Sequence, residues 1–159
     1  SKSRAINLLS AARLFLFDSV PRGQRLAVLS VSGGAGVLIA DEAEALGLAV
    51  PAFTETTLAA LKPVLPAFGH PANPLDLARN VVQNTASISQ AFAAVGADEN
   101  VDAIVLFVGL MHSIAGAFTE TLATARQKMR QPIVVVWIGA TAETVATIES
   151  ARLPVFGDT

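Results

Sequence analysis

Short, largely apolar runs recur along the chain, separated by stretches whose apolar residues return at helical spacing. Leu26–Val31 is such a run, bounded by Gly23 and by Gly33-Gly34, and Leu48–Phe53, Val101–Val108, Pro132–Ile138 and Pro154–Phe156 are others. A run with no polar alternation reads as a strand buried on both faces. Strands that alternate with helices pair in parallel, because each return to the sheet needs a crossover connection that lays a helix on one face. Helices are predicted over Ala35–Leu46, ended by Gly47 in a left-handed cap, and over a short segment carrying Leu58, Leu61 and Val64 that Thr54 caps. Further helices are predicted over Ala86–Val95, Ser113–Met129 and Thr141–Ala151. A leading helix is expected over Arg4–Phe17, stopped by Asp18, Ser19 and Pro21. Phe68–Pro74 reads as a loop that enters a short extended piece at Leu75–Leu77. The expected fold is α/β: a flavodoxin-like, doubly wound parallel sheet of about five strands in the order 2-1-3-4-5, with helices on both faces and an extra N-terminal helix. Residues 1–22 are expected to form the leading helix and linker, and residues 23–159 the domain.

Composition removes several classes of function. The chain is 52% hydrophobic and 15% charged, so much of it must be buried, and 159 residues suffice for one ordinary domain. Eleven basic and thirteen acidic residues leave a net charge of -2 with no block of either sign, which points away from nucleic acid and from anionic lipid. No cysteine is present, so disulfides, thiolate metal sites and cysteine nucleophiles are excluded, in keeping with a cytoplasmic protein. No apolar run approaches the roughly 20 residues of a membrane span, and no signal peptide is evident. The serine at position 1 points to processing or excision from a longer protein.

Ligands of doubly wound folds bind beyond the carboxyl ends of the strands, where helix N-termini present unpaired N–H groups. Two loops qualify. The first contains Ser32, Gly33, Gly34, Ala35 and Gly36 and leads from the first strand into its helix. Its glycines either let the backbone approach an anion or serve only the tight turn and close helix packing. A dinucleotide fingerprint fails here, since Ile39 stands where a third glycine is needed and Glu55 is the nearest acid; no P-loop lysine follows either. The second loop holds Gly109, Met111, His112 and Ser113. His112 reads as a general base, anion ligand or phosphoryl acceptor, or as surface filler, and His70 in the proline-rich loop has no neighbour that orients it. Neither lies at metal-ligand spacing, so no metal site is expected. With strand order 2-1-3-4-5 the two loops start side by side, and an anion is expected in the crevice between Gly33–Gly36 and Met111–Ser113. Asn73 and Asp76 read as structural, fixing their loop through bonds to nearby backbone.

The ordered elements Arg25-Leu-Ala-Val-Leu-Ser-Val-Ser-Gly-Gly-Ala-Gly-Val-Leu-Ile-Ala-Asp41, Asn73-Pro-Leu-Asp-Leu77, Pro132-Ile-Val-Val-Val-Trp137 and Leu153-Pro-Val-Phe156 resemble the succinyl-CoA-synthetase-like ligase domain of acyl-CoA synthetases that form a nucleoside diphosphate, of the ADP-forming acetate–CoA ligase type. The resemblance covers nearly the whole chain. It implies a multidomain ligase that converts a small carboxylic acid, CoA and ATP (with Mg) into acyl-CoA, ADP and phosphate through an acyl phosphate and a phosphohistidine. It also implies partners, a CoA-binding domain and an ATP-grasp domain, that bind the cofactor-like substrates, with none bound by this domain. The phosphorylated histidine of the family sits in a Ser-His-Thr-Gly setting that neither His70 nor His112 matches, so no catalytic residue is assigned and the chain alone is expected to be inactive. Its implied part is to complete the phosphate and acyl site with helix N-termini. Val31 stands where many relatives have asparagine. Two other classes fit the same fold: a noncatalytic regulatory or interaction module, and a small flavin or nucleotide binder.

Overall fold

A computed structural model of the chain describes residues 17, 20–67, 69–77, 84–109 and 115–157. The expected leading helix, apart from its last residue Phe17, and the residues Met111, His112 and Ser113 lie outside them. Five strands form one parallel sheet: β1 (Leu26–Ser30), β2 (Leu75–Asp76), β3 (Ala103–Val108), β4 (Ile133–Trp137) and β5 (Val155–Phe156), in the order β2-β1-β3-β4-β5. The described helices are α1 (Gly33–Ala45), α2 (Glu55–Leu61), α3 (Thr85–Gly96), α4 (Ala115–Lys128) and α5 (Ala142–Ser150). The flavodoxin-like order and the parallel pairing are those expected from the sequence.

One predicted strand is not in the sheet. Leu48–Phe53 contributes only a single bridge, Arg25 to Ala49, and the strand beside β1 is instead the short piece at Leu75–Asp76. Pro51 has no N–H to donate to a ladder, and a side chain takes over where the segment leaves. Asn73 Oδ1 accepts from the Val28 N–H at 2.9 Å, while its Nδ2 donates to the carbonyls of Leu26 and Pro51, each at 2.9 Å. The edge of β1 is therefore satisfied in three stages, by Ala49, by the Asn73 amide, and by β2.

The core is unequal on the two faces. Ala27, Leu29, Ile104, Leu106, Ile133 and Val135 point to the face that carries α2 to α5, where Phe92, Phe118, Leu122 and Ile148 are wholly buried. Phe118 meets Trp137 edge to face at 5.7 Å between ring centroids. Each such side chain contributes about 1.5–3 kcal/mol by leaving water. On the other face α1 packs Ala40 and Ala43 on Leu26 and Val28. Only β1 is buried at every position; β3 and β4 alternate buried with half-buried residues.

Three helix starts follow their sequence. Thr54 accepts from the Thr57 N–H, Asn84 from the N–H groups of Ala86 and Ser87, and Thr141 from the N–H of Thr144. Gly47, at φ +83°, closes α1 as its position implied. A second anchor ties the base of the domain. Asp98, 2% exposed, accepts from the Thr54 N–H and hydroxyl and from the Asn100 N–H, holding α2 to the end of α3.

Candidate functional site at the carboxyl end of β1

The turn from β1 into α1 is built by its own hydroxyl. Ser30 Oγ accepts from the Ser32 N–H at 2.9 Å and donates to the Ser32 carbonyl at 2.6 Å, which spends the side chain on the turn. Ser32 is the extended N-cap residue of α1, and its side chain makes no capping bond. The first turn of α1 has no acidic residue of its own. Gly36 is needed for close approach: a Cβ there would lie 3.3 Å from Ser30 Cβ and 3.5 Å from Pro74 Cβ, so the glycine lets α1 rest on the end of β1 and on the loop before β2. Gly33 has a different reason. A Cβ at Gly33 would stand 2.8 Å from Asp76 Oδ2, so this glycine admits a carboxylate to the start of α1. Gly34 faces open space, with nothing within 4 Å of a Cβ, and Ala35 follows it in the same turn.

The turn has two flanks because β1 lies between β2 and β3. On the β3 flank, the Val31 N–H donates to the Phe107 carbonyl at 3.1 Å, and Gly109 follows the end of β3. The structure thus brings Ser32–Gly36 and Gly109 out of neighbouring strands, while Met111, His112 and Ser113 lie outside the described residues. On the β2 flank lies a cavity of about 840 Å³ between the start of α1, β2 and the 66–74 loop. Sequence reasoning did not anticipate this cavity. His70 and Asp76 both line it, although in the sequence the first stands in a loop with no neighbour to orient it and the second reads as structural. The signal that pointed to it was the Asn-Pro-x-Asp element, whose asparagine replaces a strand and thereby places the aspartate two residues into the edge. Among the described residues, no cluster of three or more His, Asp or Glu side chains is arranged to hold a metal ion.

The sheet order, the parallel crossovers and the ligand-side turn define a doubly wound α/β domain of the flavodoxin-like class. No protein-family model matches the chain. It is 39% identical over 70 residues to the ADP-forming acetate–CoA ligase II subunit alpha of Pyrococcus furiosus, a match that takes in 44% of this chain and 15% of that protein. A crystal structure of a Pyrococcus horikoshii OT3 protein superposes with a TM-score of 0.81 at 24% identity, covering 93% of this chain and 35% of the other. The dinucleotide forming acetyl-coenzyme A synthetase 1 of Ca. Korarchaeum cryptofilum in its apo form gives 0.74 at 22% identity over 93% of this chain and 33% of that one. The same synthetase in complex with phosphate and ADP gives 0.70 at 22% identity. The chain spans about a third of the length of these solved structures, and the likeness to them is one of fold. Over those 70 residues the chain is similar to an ADP-forming acetate–CoA ligase subunit, in agreement with the resemblance read from the sequence, and it shares the fold of the solved structures.

Proposed function

We propose that the chain serves as one domain of an acyl-CoA synthetase that joins a carboxylic acid to CoA at the expense of ATP, releasing ADP and phosphate. The observation that carries this reading is the 39% identity over 70 residues to an ADP-forming acetate–CoA ligase subunit. In this function the turn Ser32–Gly36 and the loop from Gly109 to Ser113 form the two walls of a phosphate and acyl site. Backbone N–H groups at the start of α1 and beyond β3 face charge that moves between acid, phosphate and a histidine on another domain. Phosphoryl transfer needs positioned donors more than covalent chemistry from this chain, which fits a turn whose one buried hydroxyl, Ser30, is already engaged. ATP and CoA are held by the ATP-grasp and CoA-binding partner domains.

Phosphate titration of the isotope-labelled chain tests the two-walled site. Backbone amides of Gly33–Gly36 and of the 109–113 loop should shift together, weakly in the isolated chain and at lower phosphate once the partner domains are supplied. A tryptophan at Gly34 should abolish the response, and His112→Ala should weaken it only modestly. No movement in either loop, or movement in one alone, would count against the shared site.

A further inference from the structure

Helix α1 is turned inside out with respect to residue size. The side it lays on the sheet holds Gly36, Ala40 and Ala43, whereas Val37 leaves 54% of its surface in water, Leu38 70%, and Leu46, the C-cap residue, 72%. A surface helix ordinarily points its larger apolar side chains at the core. Four large apolar residues are exposed among the described ones, and three of them belong to α1 and its cap, so the apolar surface is gathered on this helix. Gly34 and Ala45, both exposed, fall on one stripe with Leu38 at helical spacing, and their small size lets another element come close at either end.

The charge of the helix is as one-sided. Asp41, Glu42 and Glu44, all exposed, are its charged residues, and they crowd its C-terminal half, where the helix dipole already places partial negative charge. Asp41 and Glu44 also stand three apart on the helix, a spacing at which like charges repel. None of the three has an ion pair among the described residues.

We propose that this face of α1 docks a separate folded domain whose contact surface is apolar and edged with lysine or arginine. Apolar side chains held in water gain by being covered, and carboxylates crowded at the negative end of a helix are relieved by cations. A second copy of this chain docked face to face does not fit, since it would bring three further carboxylates to a helix that carries no base. Because α1 begins at the turn Ser32–Gly36, a domain seated along it stands beside that turn. Taking the docked domain to be one of the partner domains of the synthetase rests on the function proposed above.

Titration calorimetry of the 159-residue chain against the CoA-binding and ATP-grasp domains, with acyl-CoA formation by the same mixture read alongside, tests the docking face. The wild-type chain should associate, and less tightly as salt rises. Leu38→Ser should weaken association about tenfold by removing one covered apolar anchor, and should leave the thermal melt of the chain unchanged. The triple change Asp41→Asn, Glu42→Gln and Glu44→Gln should weaken association about tenfold and remove most of its salt dependence, while the chain melts no lower than before because like charge leaves the helix end. A purely structural role would instead lower melt and association together. The proposal is overturned if the wild-type chain binds neither domain, if either variant binds as tightly as wild type, or if the chain alone sediments as a dimer that Leu38→Ser dissolves. Binding that depends on α1 in a mixture that forms no acyl-CoA would sink the ligase reading and leave the docking face standing. Acyl-CoA formation by a mixture in which both variants bind as wild type does would do the reverse.

Discussion

Asn73 shows how much one side chain can carry. Its amide substitutes for a stretch of strand, accepting from the Val28 N–H and donating to the Leu26 and Pro51 carbonyls. Asn73→Ala should therefore cost about 2–3 kcal/mol, at about 1 kcal/mol per lost bond, more than a single turn bond would suggest. Denaturant unfolding checks it, and a loss below about 0.5 kcal/mol would mean that water or a neighbour replaces the amide. Asp98 makes a pH-dependent contribution. Burial pushes its carboxyl up, but the hydroxyl of Thr57, the N–H of Asn100 and the N–H and hydroxyl of Thr54 together hold it below the ordinary carboxylate range. A depressed folded value means that the stabilisation is present above the unfolded value of about 3.9 and is lost as pH falls through the lower folded one. Asp98→Ala should cost about 2–4 kcal/mol near neutrality through orphaned N–H donors, and should flatten the fall in stability between about pH 4 and pH 2. Chemical denaturation across that range decides it, with an unchanged acid limb as the contrary result.

The elements were legible wherever periodicity and capping chemistry agreed. Thr54, Thr141 and Gly47 mark helix ends in the sequence and do so in the structure, and the runs at Leu26, Val101 and Pro132 became β1, β3 and β4. Leu48–Phe53 misled because composition registers apolar character but not ladder donors: Pro51 interrupts the donors, and the replacement comes from Asn73, far along the chain. The 66–77 segment hid its role for the converse reason, since its prolines and glycine read as a loop while the site it builds depends on which strand edge it joins. One packing contact at this scale was invisible in sequence. A Cβ on Gly96, at the end of α3, would lie 2.5 Å from Met129 Cε and 2.9 Å from Met129 Cγ. The methionine tip can move but its Cγ is fixed nearer the backbone, so Gly96→Ala should destabilise by about 1–3 kcal/mol through overpacking between α3 and the end of α4. A thermal melt would show it, and Gly96→Ala with Met129→Ala should recover part of the loss.

At the scale of the molecule, the sheet order and the side on which a ligand would lie followed from strand–helix alternation, whereas the division of the α1 start into two flanks did not. That division depends on β1 sitting between β2 and β3, and on a carboxylate reaching Gly33 from residue 76, a proximity that no local pattern encodes. The uneven core has the same origin. Continuous apolar runs at β3 and β4 implied burial on both faces, yet their alternate residues are only half-buried. No described helix is long and apolar enough to cross a membrane. A domain that supplies walls and not reacting groups should be silent alone and necessary in company. The decisive measurement is ATP- and CoA-dependent acyl-CoA formation from a small carboxylic acid such as acetate, assayed with this chain alone, with the CoA-binding and ATP-grasp domains alone, and with all of them together. The account predicts product and released ADP only in the complete assembly; turnover by this chain alone, or full turnover by the other domains without it, would contradict it.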